Sequence, residues 1–365
     1  MRSVFRRNSL LGTMTPRERL LTVTAAGTPD QTPFNIWSNK IPDDTMLQEL
    51  LAREACITIK SEAYAVSLEG IRVDHVPFRC PDGTDRIRLT YHTPTGMLEV
   101  IQRPMQGTVW TEQHPFSGAE DYDSLEYLVA SRRYRPCPER LLQDDLRFPG
   151  QSIARPATLR SPLHEVINEL LGVENFCVEW FENRERVERL CRLVHDDVLE
   201  RIRLLADAPV PYCIVDGNTQ FDVIGLERYE EHTLPYINEA CEILHAAGKR
   251  AGAHLDGNNS IAAHLIARSG LDFVESFSPE PSTDLALASA RAAWPAIGLI
   301  VNFPPAVHLL GWSAVRESLR RLRHESGDLR GVALAIIEDI PTSEYIVPLA
   351  EEVRSWWTAR TIVES

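Results

Sequence analysis

From about residue 150 the chain alternates strand and helix patterns almost without interruption, and this limits its fold more than any other feature. The strand candidates are Ser152–Ala154, Phe176–Glu179, Tyr212–Val215, Arg250–His254, Phe273–Ser276, Leu299–Asn302 and Val332–Ile337. Helical patterns fill the gaps at Pro162–Leu171, Arg184–Ala206, Glu227–Ala247, Ser260–Ser269, Leu285–Ala293 and Ser313–His324, and a last one runs over Ser343–Trp357. Strands joined through helices run parallel, because a parallel pair needs a long crossover connection. With Phe34–Trp37 the strands number eight, the count of an α/β fold of the (β/α)8 TIM-barrel type. The alternative is an open doubly wound sheet. That fold places a glycine-rich phosphate loop after an early strand, and no such loop is found here.

The N-terminal third departs from this rhythm. Thr15-Pro16-Arg17-Glu18 starts a helix, with Thr15 as N-cap and Pro16 in the first turn. It runs to about Ala26 and stops at Gly27. A second helix is expected over Asp43–Ala55. From Ile57 to Arg103 the pattern has period two, and Arg86–Tyr91 leads through Thr93-Pro94-Thr95-Gly96 into Met97–Ile101, a hairpin signal. The expected organisation is a mobile leader at 1–13 and one barrel domain at 14–360, with a β-rich antiparallel excursion inserted at about 57–110.

Composition narrows the functional classes. At 365 residues a large core can be buried without disulfides, and no apolar run approaches the roughly 20 residues of a membrane span. A net charge of −14 argues against nucleic acid as a partner. The seven cysteines include no C-x-x-C pair and resemble reduced thiols, so a cytoplasmic location is expected. Lysine occurs only at Lys40, Lys60 and Lys249.

In a TIM barrel, function sits at the C-terminal ends of the strands, and there the polar residues collect: Asp216, His254 with Asp256, Glu275, Asn302 and Glu338. Side chains two apart on an extended chain share a face, so His254 and Asp256 can both reach the mouth, with Glu338 entering from the last strand. One imidazole and two carboxylates suit a divalent metal, zinc foremost. The competing reading is that single acids at strand ends cap helices or pair with arginines. His308 is a weaker candidate for substrate contact.

Met14-Thr15-Pro16-Arg17-Glu18-Arg19-Leu20-Leu21, followed by Gly27-Thr28-Pro29-Asp30-Gln31-Thr32-Pro33, resembles the opening of uroporphyrinogen decarboxylase-like proteins, a superfamily that includes cobamide-dependent methyltransferases. His254-Leu255-Asp256-Gly257-Asn258 is similar to that family's His-x-Cys-Gly-Asn segment, and Glu338-Asp339-Ile340-Pro341 to its Cys-Gly-Ile-Pro segment. The resemblance implies a barrel with its site at the strand C-termini. Where the decarboxylases carry an arginine-rich segment for substrate carboxylates, this chain reads Phe34-Asn35-Ile36-Trp37-Ser38-Asn39. The methyltransferase branch holds zinc on His and two Cys, for which His254, Asp256 and Glu338 stand here.

The leading expectation is therefore a metal-dependent methyltransferase for a small substrate. His254, Asp256 and Glu338 would be the metal ligands, Asp216 or Glu275 a general base or substrate anchor, and Asn302 a hydrogen-bond donor. No corrinoid-binding segment is present, so a corrinoid would arrive on a separate protein. A homodimer is a further expected partner. The alternatives are a metal-independent decarboxylase or lyase, with Arg250 as its barrel-strand cation, and a ligand-binding barrel without chemistry.

Overall fold

The computed structural model describes residues 13–105 and 108–363, with side chains placed as far as Trp356. Its strands, in chain order, are β1 (Phe34–Trp37), β2 (Cys56–Lys60), β3 (Tyr64–Leu68), β4 (Arg72–Arg79), β5 (Asp85–Thr93), β6 (Gly96–Met105), β7 (Thr108–Gln113), β8 (Arg132–Pro136), β9 (Ser152–Arg155), β10 (Tyr212–Gly217), β11 (Arg250–His254), β12 (Phe273–Phe277), β13 (Gly298–Asn302) and β14 (Val332–Ile336). Eight of them form one parallel sheet in the order β10-β11-β12-β13-β14-β1-β2-β9. The sheet curls into the expected (β/α)8 barrel. The last gap, between β9 and β10, is bridged by loop contacts. Leu159 N–H donates to the Ile214 carbonyl at 3.0 Å, and Ser161 N–H donates to Asp216 Oδ1 at 2.9 Å.

Strands β10 to β14 are buried almost end to end, as parallel strands covered by helices must be. Alternation sorts their side chains into two cores. Cys56, Ile153, Tyr212, Ile214, Phe273, Ile300, Ala333 and Ala335 fill the barrel interior, together with Leu20 and Val23 of the first helix, Pro16–Val23. Ile57, Ile59, Val215, Val274 and Leu334 point outward against the helices. The first helix begins as its sequence predicts: Thr15 accepts from Glu18 N–H and the Glu18 side chain returns the bond, closing a capping box. It plugs the barrel floor so closely that a Cβ on Gly298 would lie 2.0 Å from the Val23 carbonyl oxygen.

Two expectations are corrected. Phe176–Glu179 is not a strand. It lies in the helix Val173–Glu182, where Phe176 and Glu179 are buried and Cys177 and Val178 exposed, a spacing of three that marks a helical face. The eighth strand is instead Cys56–Lys60, which the sequence placed at the start of the excursion. The excursion itself runs from Tyr64 to Pro136, longer than 57–110. It comprises an antiparallel β3–β8 ribbon and the meander β4-β5-β6-β7. Buried charges clamp the ribbon to the barrel's helices. Arg132 reaches Glu165 at 2.5 Å and Asp197 at 3.0 Å, Arg201 reaches the same two acids at 2.7 and 2.8 Å, and the Tyr134 hydroxyl donates to Asp197 at 2.7 Å. Two cations face two anions, so no buried charge is left uncompensated. The leader expected at 1–13 lies, except for residue 13, outside the described residues. Among the described residues no helix is long and apolar enough to cross a membrane.

Candidate functional site

The inward-facing positions at the C-terminal strand ends carry Trp37, Lys60, Arg155, His254 and Glu275, on β1, β2, β9, β11 and β12; Arg155, His254 and Glu275 are buried, Trp37 is half-buried and Lys60 is exposed at the rim. Four of them form one connected group. Arg155, which is completely buried, donates from Nη2 to Glu275 Oε2 at 3.0 Å. The same oxygen meets His254 Nδ1 at 3.1 Å, and His254 Nε2 lies 3.5 Å from Asp256 Oδ2. The Arg155 guanidinium stacks 4.7 Å above the Trp37 ring, whose centroid is 5.8 Å from that of His254. The buried mouth is thus an alternating row of charges, Arg155–Glu275–His254–Asp256, with Trp37 against the arginine and the imidazole.

Such a row sets the protonation of its members. Burial disfavours a charged His254, but Asp256 and Glu275 outweigh it and push the imidazole up to about 9. Burial likewise opposes ionisation of Glu275 and Asp256. Arg155 and His254 overcome it for the first and His254 for the second, holding both below the usual carboxylate range. At neutral pH His254 is therefore an imidazolium, with Nδ1–H on Glu275 and Nε2–H toward the half-buried Asp256. Its orientation is fixed from behind by a carboxylate that Arg155 fixes in turn.

The other predicted residues have different surroundings. Glu338 is turned toward Ser276 and Ser278, whose hydroxyls donate to its Oε1 at 3.3 Å each; burial and the charge of Asp256 raise its pKa. Asn302 accepts at Oδ1 from Ile337 N–H at 3.0 Å and donates from Nδ2 toward Ser278 Oγ at 3.5 Å, so it ties the end of β14. Asp216 is completely buried, and its oxygens take Ser161 N–H at 2.9 Å and the Thr219 hydroxyl at 2.5 Å, pinning the loop that closes the barrel. His308 is buried against Phe303, with neither ring nitrogen hydrogen-bonded among the described residues. Arg250 is corrected as a substrate cation: it opens β11 at the opposite end from His254 and pairs with Asp272 at 3.4 Å.

The metal expectation can be set against this donor arrangement. His254 Nε2 and Asp256 are spaced as two donors to one ion, and Glu275 behind Nδ1 is the carboxylate support that metal-bound histidines use. Zinc sites need three or four protein ligands. Glu338 is held by the two serines, and among the described residues no three His, Cys, Asp or Glu side chains come together as an ion-holding group. The donor set falls one short. Treating the purified protein with EDTA is accordingly expected to leave its thermal unfolding temperature unchanged. A fall of several degrees would mean that Glu338 swings in to complete a metal centre.

Sequence reasoning missed Arg155, Trp37 and Lys60. The signal for Arg155 was the strand Ser152–Ala154, which needed one more residue. The register then pairs Arg155 with Lys60 across β9 and β2.

A family model for uroporphyrinogen decarboxylase matches residues 161–336. No curated protein matches the chain. Among solved structures, a methyltransferase from Methanosarcina mazei is 10% identical and superposes with a TM-score of 0.57 over 96% of this chain and 100% of that one; at that identity the likeness is one of fold. A structure of the pneumococcal exo-β-D-N-acetylglucosaminidase StrH, with tandem GH20 catalytic modules, is 9% identical over 93% of this chain and 86% of that one. Its TM-score is 0.37, too low to bear on function.

Proposed function

We propose that this chain, whose residues 161–336 match the uroporphyrinogen decarboxylase family model, is an enzyme of that superfamily moving a methyl group from a small substrate held at the barrel mouth. The observation that carries this reading is the closed charge row Arg155–Glu275–His254–Asp256, which presents one oriented imidazolium. A porphyrinogen with several carboxylates would require several unpaired cations. Here Arg155 is spent on Glu275, His254 lies between two carboxylates and Arg160 pairs with Glu169. A proton donor beside a nearly neutral cavity suits cleavage of a methyl–heteroatom bond better than decarboxylation of a polyanion.

In the proposed step His254 gives its Nε2 proton to the substrate heteroatom as the bond to the methyl carbon breaks. The electron pair of that bond stays on the heteroatom, and the methyl passes to the nucleophile of a carrier on the opposite side. Glu275 keeps its bond to Nδ1, so the ring does not turn while it loses its charge. Asp256, beside Nε2, stabilises the imidazolium before transfer and receives the substrate's new O–H, N–H or S–H afterwards. A corrinoid on a separate protein, which the resemblance implies, would be a carrier of the right kind.

The test supplies free cob(I)alamin as acceptor with a panel of methoxylated, N-methylated and S-methylated small molecules, and follows methylcobalamin by absorbance. At least one donor is expected to react, and His254→Gln should slow that reaction roughly 100-fold or more, the usual contribution of a positioned general acid. Release of CO2 from a carboxylate substrate, with no methylcobalamin from any donor, would replace this reading with the decarboxylase. Ligand-induced stabilisation without any turnover would leave a binding barrel.

A further inference from the structure

We propose that Lys60 is the subsite for a single substrate carboxylate, so that the molecule acted on at His254 is a small monoanionic acid. The inference rests on the methyl-transfer reading only for which end of the molecule reacts. The placement of Lys60 comes from the barrel's own register. Cys56 lies in the interior core, and Thr58 accepts a hydrogen bond at 2.8 Å from Asn35 Nδ2, whereas Ile57 and Ile59 face outward. Lys60 therefore continues the inward face, directly beside Arg155 in the β2–β9 ladder. Around the barrel, β1 with Trp37 lies on one side of it and β9 with Arg155 on the other, and both those side chains lead to His254.

Lys60 differs from the chain's other lysines. Lys40 is paired with Asp339 at 2.5 Å, and Lys249 donates to the carbonyls of Ala208 and Val210 at 2.5 and 3.1 Å. The Lys60 ammonium has neither an ion pair nor a hydrogen bond among the described residues; Arg155 and Arg160 repel it and Glu275, at longer range, attracts it. The residue is exposed at the rim, and the partial desolvation of its ammonium, followed by those two arginines and opposed by Glu275, lowers its pKa. An ammonium with no carboxylate in contact is free to take an added anion. It also has space for one: a cavity of about 330 Å³ is lined by Lys60, Ser61, Glu62, Ala63, Tyr64, Pro156 and Ala157. Glu62 on the same wall limits the subsite to one negative charge and disfavours the multiply charged tetrapyrrole a second time.

The experiment labels the full chain with trinitrobenzenesulfonate at mildly alkaline pH and follows each lysine by peptide mass, using benzoate and its neutral counterpart benzamide as probes. Lys60 is expected to react faster than Lys40 and Lys249. Millimolar benzoate should slow its labelling at least fivefold, while benzamide leaves it unchanged. Benzoate should also raise the unfolding temperature of the wild type and of Lys60→Arg but not of Lys60→Met, a set in which charge and not shape is the variable. Equal protection by both probes, or none by benzoate, overturns the proposal. Protection that persists in His254→Gln separates this subsite from the methyl chemistry, so failure of either is read independently.

Discussion

Replacing Arg155 with methionine is expected to destabilise the protein by about 3–5 kcal/mol, the largest effect of any single change at the mouth. Glu275 is the reason. Its carboxylate is sealed in the barrel with only 1% of the residue exposed, and Arg155 is its strongest ionic support. Removing one partner of a buried pair leaves a charge with no solvent to receive it, and such losses run to about 3–5 kcal/mol. The guanidinium also donates to the Pro156 carbonyl at 2.9 Å and to Thr158 Oγ1 at 3.2 Å, so the loop that closes the barrel loosens as well. Urea unfolding followed by tryptophan fluorescence would measure the loss. The double variant Arg155→Met/Glu275→Gln should recover most of it, because a buried pair replaced as a unit is often close to neutral. A single variant as stable as the wild type would mean that Glu275 takes up a proton at little cost, and the charge row would not exist as described.

How far this site could be read in the sequence depended on which elements define it. The barrel was legible because parallel strands buried on both faces leave dense apolar runs between amphipathic helices, and seven of the eight strands were placed. Phe176–Glu179 misled because its apolar run, Phe176-Cys177-Val178, is too short to have a period of its own. Only its neighbours show that 176 and 179 share a helical face. Cys56–Lys60 was passed over for the opposite reason: its inward residues are small or polar, so a barrel strand looked like the first strand of an antiparallel sheet. That error also hid Lys60. His254, Asp256 and Glu275 were found because strand ends are where barrel chemistry collects, but their roles were not. Nothing local tells Glu275 that its partner is Arg155, 120 positions earlier. Only the closed barrel brings those strand ends together and turns a suspected base into the support of an acid.

The protonation of His254 makes the last prediction, which concerns pH. Its pKa in the fold is about 9 against an ordinary value of 6.5. A histidine with a raised pKa contributes its full stabilisation below 6.5 and loses it as the pH climbs through 9. The gap corresponds to about 3 kcal/mol for this buried group. Glu275 and Asp256 work in the other direction: with lowered pKa values, they stabilise above the carboxylate range and lose that contribution only in acid. The buried thiols of Cys56, Cys191, Cys213 and Cys241, pushed up to about 12, also favour the unfolded chain once it can ionise them, from about pH 9 upward. They are present in wild type and His254→Gln alike, so the difference between the two proteins isolates the imidazole. Measured by chemical denaturation, that difference should be largest below pH 6.5 and shrink by about 3 kcal/mol by pH 9.5. Methyl transfer should fall along the same limb, tenfold per pH unit above 9, as the acid loses its proton. A difference that stays constant across the range would show a neutral imidazole in the fold, and a neutral ring with Glu275 at one nitrogen has no proton at Nε2 to give.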